Sequence, residues 1–158
     1  MTGARGMKPL RRLLIATDFS ACADAAAELT ARLAEQLNAI VEVITIIDTS
    51  AITDAGGDPA DHRQRVEEMC RQARERLQTF VDRHFREIEE LHLHVFDGGL
   101  EPPNPSVEII RVGETLGCDL IVLGTHGKTG LERLVLGSVA ETVVRKSPIP
   151  VVTVRGPK

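Results

Sequence analysis

The sequence predicts one α/β domain, a single doubly wound, five-stranded parallel sheet with helices on both faces. Two observations carry that expectation. Short, continuously apolar runs alternate with longer stretches whose apolar residues recur every three or four positions, in the order βαβαβαβαβ. Strands that alternate with helices need crossover connections, and these lay the strands parallel in one sheet. The chain has 158 residues, 42% of them hydrophobic, enough for one ordinary core and too few for a second large one.

Leu13 to Thr17 (LLIAT) is the first strand, apolar throughout as a strand buried on both faces must be. Asp18-Phe19-Ser20 follows, and Ser20 is a good helix N-cap. Ala23, Ala26, Ala27, Thr30, Leu33, Ala34 and Leu37 then mark the first helix, which Asn38 ends. Its stripe is mostly alanine, which suits close packing on a sheet. Val41 to Ile47 is the second strand, rich in β-branched residues. After a polar stretch, Asp58-Pro59 offers a cap and a first-turn proline. Val66, Met69, Cys70, Ala73, Leu77, Phe80, Val81 and His84 give a long amphipathic second helix. On its apolar edge, His84 reads as a packed side chain.

Leu91 to Phe96 (LHLHVF) alternates, as a half-exposed edge strand does. A proline-rich connection leads to Asn104-Pro105, again a cap and a first-turn proline. Ile109, Ile110, Gly113 and Leu116 form the third helix, stopped by Gly117. Leu120 to Leu123 is a central strand. Gly137-Ser138 opens the fourth helix, which places Arg145 and Lys146 in its last turn, where the dipole favours cations. Pro150 to Val154 is the last strand.

Composition narrows the function. A net charge of −4 speaks against a nucleic-acid binder, which needs a basic face. No apolar run approaches the ~18 residues of a membrane span. The basic start, MTGARGMKPLRR, precedes only LLIAT, too short for a signal peptide, so a cytoplasmic protein is expected. Residues 1–7 read as a flexible tail before a domain spanning residues 8–155. Cys22, Cys70 and Cys118 lack any CxxC or Cys/His spacing and read as reduced, small core residues. His92 and His94 share a strand face but have no accompanying Cys or carboxylate pattern, so no metal site is expected.

Phosphate chemistry is suggested by Gly124 to Ser138, GTHGKTGLERLVLGS. A Walker loop would need glycine five positions before Gly127, where Val122 stands, and its lysine would open a helix directly. Nor is there a GxG pair for a dinucleotide fingerprint. The spacing present is Gly124-x2-Gly127-x9-Gly137-Ser138. Two glycines after a buried strand let backbone N–H groups approach an anion, and a helix start adds free N–H groups and partial positive charge. The same residues also satisfy a plainer reading. Ser138-x-x-Glu141 is a capping box in which Ser138 bonds the Glu141 amide with no ligand present. The residues alone leave both open.

The run DLIVLGTHGKTGLERLVLGSVAETVVRKSPIPVVTV, Asp119 to Val154, resembles the universal stress protein family, as do LLIATDFS and VITIID. The resemblance covers residues 8 to 155. Its G-x2-G-x9-G-[ST] spacing is that of the ATP-binding subgroup. The resemblance implies strand order 3-2-1-4-5 and an adenine nucleotide, ATP, with any Mg²⁺ carried by the nucleotide. By similarity Thr17 and Asp18 face the ribose and adenine edge, Ile46 offers its backbone to the base, and Leu123 bounds the ribose side. Gly124, Thr125, Gly127, Gly137, Ser138 and Val139 line the phosphates. Two departures stand out: Ala16 replaces a proline common in ATP-binding members, and GGLEPPNP after the third strand is longer and richer in proline.

Catalysis has less support. No carboxylate pair marks a Mg²⁺ site, and no serine has an evident base. His126 and Lys128 near the phosphates read equally as solvent-facing. The sequence therefore suggests a nucleotide receptor acting through conformation or protein partners. The alternatives are an interaction module that binds no nucleotide and a slow ATPase. Val151 to Val154 forms an apolar sheet edge, and the resemblance implies that a second copy pairs with it in a homodimer.

Overall fold

The computed structural model describes residues 9–50, 58–97, 103–125 and 136–157. Its elements are β1 (Arg12–Ala16), α1 (Ala21–Leu37), β2 (Ile40–Ile46), α2 (Pro59–His84), β3 (Leu91–Phe96), α3 (Pro105–Thr115), β4 (Leu120–Gly124), α4 (Ser138–Lys146) and β5 (Val151–Val154). All five strands form one sheet in the order β3-β2-β1-β4-β5, and every pairing is parallel. Fold class and strand order thus match expectation.

The strand period of two sorts side chains onto two cores. Leu13, Ile15, Val41, Val43, Leu120 and Val122 face α1 and α2, where Ala26, Ala27, Ala31, Leu77 and Phe80 cover them. Leu14, Ile44, Ile121 and Leu123 face the other way, against Ile109, Val112, Ala140 and Val143 of α3 and α4. The alanine stripe of α1 is buried, as its close seating on the sheet requires.

Local signals end the helices. The Ser20 hydroxyl accepts the Ala23 N–H, and Asn38 closes α1 in the left-handed region at φ 49°. Asp58 and Asn104 cap α2 and α3, each followed by proline at the helix start. Gly117 takes φ 65°, while Cys118 N–H returns to Gly113 O and Gly117 N–H to Glu114 O. That double return is a Schellman ending, which glycine adopts at no steric cost. His84 is 7% exposed; its Nε2 lies 2.9 Å from Asp24 Oδ1 and its ring packs on Phe80, docking α2 onto α1.

The two histidines of β3 do find a carboxylate, from a residue the sequence reading passed over. Glu42, inside apolar β2, is 1% exposed and accepts contacts from His92 Nδ1 at 3.0 Å and His94 Nε2 at 2.7 Å. Arg12 of β1 pairs with the same carboxylate. The parallel register explains the cluster, since Glu42 lies opposite His92 and Ile44 opposite His94. With an arginine already on the carboxylate, this is an ion-pair network. Among the described residues no group of three or more His, Cys, Asp or Glu is arranged for a metal ion.

Burial opposes ionisation of Glu42, but the bonds from His94, His92 and Arg12 outweigh it and hold its pKa below the ordinary 4.5. A carboxyl with a lowered folded pKa contributes stability above its unfolded pKa, and that contribution disappears as pH falls through the folded value. Glu42→Gln should therefore cost about 1–3 kcal/mol at neutral pH. Urea titrations from pH 7 downward should show wild type and variant converging once pH drops below the mid-4s.

Candidate functional site

Beyond the carboxyl ends of the strands, the sheet opens into a cavity of about 290 Å³. Its position follows from topology. The chain leaves β1 for β2 and β3 on one side, then returns to place β4 on the other, so the connections after β1 and β4 diverge and leave a crevice. Open α/β sheets bind ligands at this switch point.

Thr17, Asp18, Ile46, Leu123, Gly124, Thr125, Gly137, Ser138 and Val139 all line this cavity. They include every site residue proposed from sequence except Gly127, which lies outside the described residues, as do His126 and Lys128. Ala16 also contributes, and so do Ile44, Pro105, Ile109 and Ala140, which were not anticipated. Ile44 was within reach of sequence reasoning, since it sits two positions before Ile46 and shares its face. Pro105 comes from the proline-rich departure. Ala16, singled out in the sequence as a departure, faces the cavity.

One wall is apolar, built from Ile44, Ile46, Ile109 and Leu123. Along β2 the odd-numbered residues turn their backbones toward β3, as the Val41 N–H to Glu90 O and Ile47 N–H to Phe96 O bonds record. Ile44 O instead accepts the Thr17 N–H on the β1 side. By the same alternation the Ile46 backbone faces past the end of β1, toward the cavity.

The β1–α1 turn supplies polar groups. Thr17 is 5% exposed; its carbonyl accepts the Thr45 hydroxyl at 2.9 Å and its own hydroxyl accepts the Phe19 N–H at 3.0 Å. Asp18 Oδ1 accepts the Ser20 N–H at 3.1 Å. Asp18 thus makes a local turn bond, and an ionised carboxylate retains capacity for further donors.

The opposite wall is the start of α4. Its N-cap is Gly137, with no side-chain cap hydrogen bond among the described residues, and Ser138 is the first helical residue. The capping box is thus not formed: the Glu141 N–H bonds the Gly137 carbonyl at 2.8 Å, and Ser138 sits one position too late to cap. The amides of Ser138, Val139 and Ala140 precede that first intrahelical bond, and such first-turn amides point out along the helix axis. All three residues border the cavity.

Two expected phosphate ligands also have structural duties. The Thr125 N–H bonds Val154 O at 2.8 Å and its carbonyl takes the Gly137 N–H at 2.7 Å, so Thr125 ties β5 and α4 to the end of β4. At Gly124 a Cβ would lie 2.7 Å from Cys22 Cβ and 2.8 Å from the Cys22 carbonyl carbon. This glycine is required by the close approach of α1, a reason independent of any anion.

Two of the three cysteines are small core groups, while Cys22 is partly exposed. Cys70 and Cys118 are buried, and burial raises both thiols, Cys118 to about 12. No helix among the described residues is long and apolar enough to cross a membrane.

A cavity at the reversal of a doubly wound sheet, closed by a helix start, defines a class of small α/β ligand-binding folds. The Usp family model, described as the universal stress protein family, matches residues 9–155, and the chain belongs to that family. Universal stress protein MJ0531 of Methanocaldococcus jannaschii is 33% identical over 150 residues, covering 94% of this chain and 84% of its own. The solved structure of protein MJ0577 from the same organism superimposes with a TM-score of 0.79 at 24% identity, over 96% of this chain and 99% of that one. A universal stress protein solved in complex with cAMP has a TM-score of 0.59 at 18% identity, over 94% and 98% of the two chains.

Gly124→Ala should destabilise the fold by about 1–3 kcal/mol, because the added methyl meets Cys22 and its backbone rather than a flexible side-chain end. Denaturant midpoints of the variant with and without Cys22→Gly check this. The second change should restore part of the loss by removing the Cys22 Cβ.

Proposed function

We propose that this chain is an adenine-nucleotide receptor, with ATP as its ligand, and that it acts in the cytoplasm through nucleotide-dependent conformation or protein partners. The observation that carries this reading is the start of α4, whose first-turn amides border the same cavity as an apolar wall and whose N-cap makes no side-chain bond among the described residues. An adenine fits against Ile44, Ile46 and Ile109, which offer area and one strand backbone. Asp18 and Thr17 stand where ribose hydroxyls need acceptors. The Ser138, Val139 and Ala140 amides and the α4 dipole suit phosphate oxygens. Gly127 would complete the phosphate loop by its place in the family spacing. The cAMP complex of a family member supports the ligand class. Magnesium, when present, would be held by the nucleotide's own oxygens.

Electrostatic reception is what these groups provide. A nucleophile, a base and a metal held together are the requirements for phosphoryl transfer, and the reading assigns none of them to this chain. Conformational change on binding would draw α4 and the β1–α1 turn toward one ligand.

Freshly purified protein should release adenine nucleotide on denaturation, and stripped protein should bind ATP–Mg²⁺ by calorimetry. Asp18→Ala should weaken binding about 10- to 100-fold, the worth of a hydrogen bond to a charged group. Gly127→Val should abolish binding and leave thermal stability unchanged. Stripped wild-type protein that shows no heat at high concentration would rule the reading out.

We also propose that β5 pairs with a second copy. Within the sheet the carbonyls of Pro150 and Val154 face β4, so alternation turns the backbones of Val151 and Thr153 outward. Thr153→Pro removes one outward N–H at an edge position that tolerates proline. Sedimentation equilibrium should move from dimer to monomer while nucleotide affinity stays within about twofold, less than 0.5 kcal/mol.

A further inference from the structure

Phe19 sits between the pocket residue Asp18 and the helix cap Ser20, and its backbone is unusual. Its φ is 62°, in the left-handed region that bulky side chains rarely enter. Such a conformation persists only where the surroundings hold it. What holds it here is α2. The Arg76 guanidinium lies 4.3 Å from the centre of the Phe19 ring, and Phe80 meets the ring edge-on at 5.9 Å.

The side chains of Asp18 and Phe19 leave toward opposite faces of the sheet. Asp18 lines the cavity on the α3 and α4 side. Phe19 lines a groove on the other side, between α1 and α2, with Asp24, Arg76 and Phe80. Two short bonds lock the turn between them: Phe19 N–H to Thr17 Oγ1 and Ser20 N–H to Asp18 Oδ1. Rotating Phe19 out of the left-handed region would carry the Ser20 N–H off Asp18 Oδ1 and release the carboxylate from the bond that orients it.

The geometry points to Phe19 as the positioning residue of the pocket, clamped by Arg76 and Phe80 so that the seating of α2 governs whether Asp18 is presented to the nucleotide. This deepens the nucleotide reading of the site and rests on it. Arg76 itself is exposed.

The test uses the full chain with Arg76→Ala, Arg76→Lys and Phe19→Ala. Because Arg76 is exposed, its variants should fold with unchanged α1 and sheet. In ligand-free protein, amide exchange followed by NMR should accelerate about two- to fivefold at Phe19 and Ser20 in Arg76→Ala, as loss of one exposed cation–π contact predicts. Amides within α1 should not change. Arg76→Lys, which keeps a cation over the ring, should restore the wild-type rates.

The second readout is the affinity ratio of ATP to 2′,3′-dideoxy-ATP. Arg76→Ala and Phe19→Ala should lower it toward the value of Asp18→Ala, whereas a merely structural loss would weaken both ligands equally. Unchanged exchange at Phe19 and Ser20 overturns the clamp. Faster exchange with an intact ratio overturns the link to Asp18. Wild-type protein that binds neither nucleotide sinks the reading of the pocket and the link with it, while the exchange rates still decide whether α2 sets the turn.

Discussion

Everything in this molecule hangs on the burial of β1 between two neighbours and two helical layers. Leu13, Leu14 and Ile15 are each fully buried. A strand with no exposed side must have partners on both edges, and here they are β2 and β4. Because β2 is next in sequence and β4 arrives only after two further crossovers, the chain must reverse its direction of travel at β1. The crevice is the consequence of that reversal. Nothing else needs to be built for a cavity to exist there, only side chains to give it character.

The two ends of the sheet carry opposite chemistry. At the amino end of the strands, Glu42 is buried in a network with Arg12, His92 and His94 that joins β1, β2 and β3. A buried carboxylate is costly unless several donors meet it, and three do. The network rewards one register and penalises a slip, which would bury the charge without its partners. At the carboxyl end, backbone donors rather than cations predominate among the described residues. The α4 start offers amides and a dipole and Asp18 lines the same cavity, so under the proposed function a ligand bearing both hydroxyls and phosphates would meet complementary groups there.

The same residues often serve fold and site together. Gly124 permits α1 to approach β4, Thr125 binds β5 and α4 to the end of β4, and both line the cavity. This sharing limits what a glycine pattern can mean. The absence of a side chain at Gly124 is explained by Cys22 alone. The stronger indication of a ligand comes from α4, where the expected serine cap is displaced by one residue and the first-turn amides face the cavity.

The sequence by itself determined which segments are strands and helices, where Ser20, Asp58, Asn104 and Gly117 begin or end them, and which face each side chain takes. These are local properties, written in periods of two and 3.6 and in the chemistry of caps. It also marked most of the cavity lining, through a family resemblance whose spacing brackets the loop. Tertiary structure alone decided that Glu42 is the partner of both histidines, that Ser138 does not cap, that Gly124 meets Cys22, and that Phe19 is held left-handed beneath Arg76. Each depends on residues brought together across the sheet or between layers. Periodicity specifies a face, but register, crossover and the sum of long-range burial choose what stands opposite it.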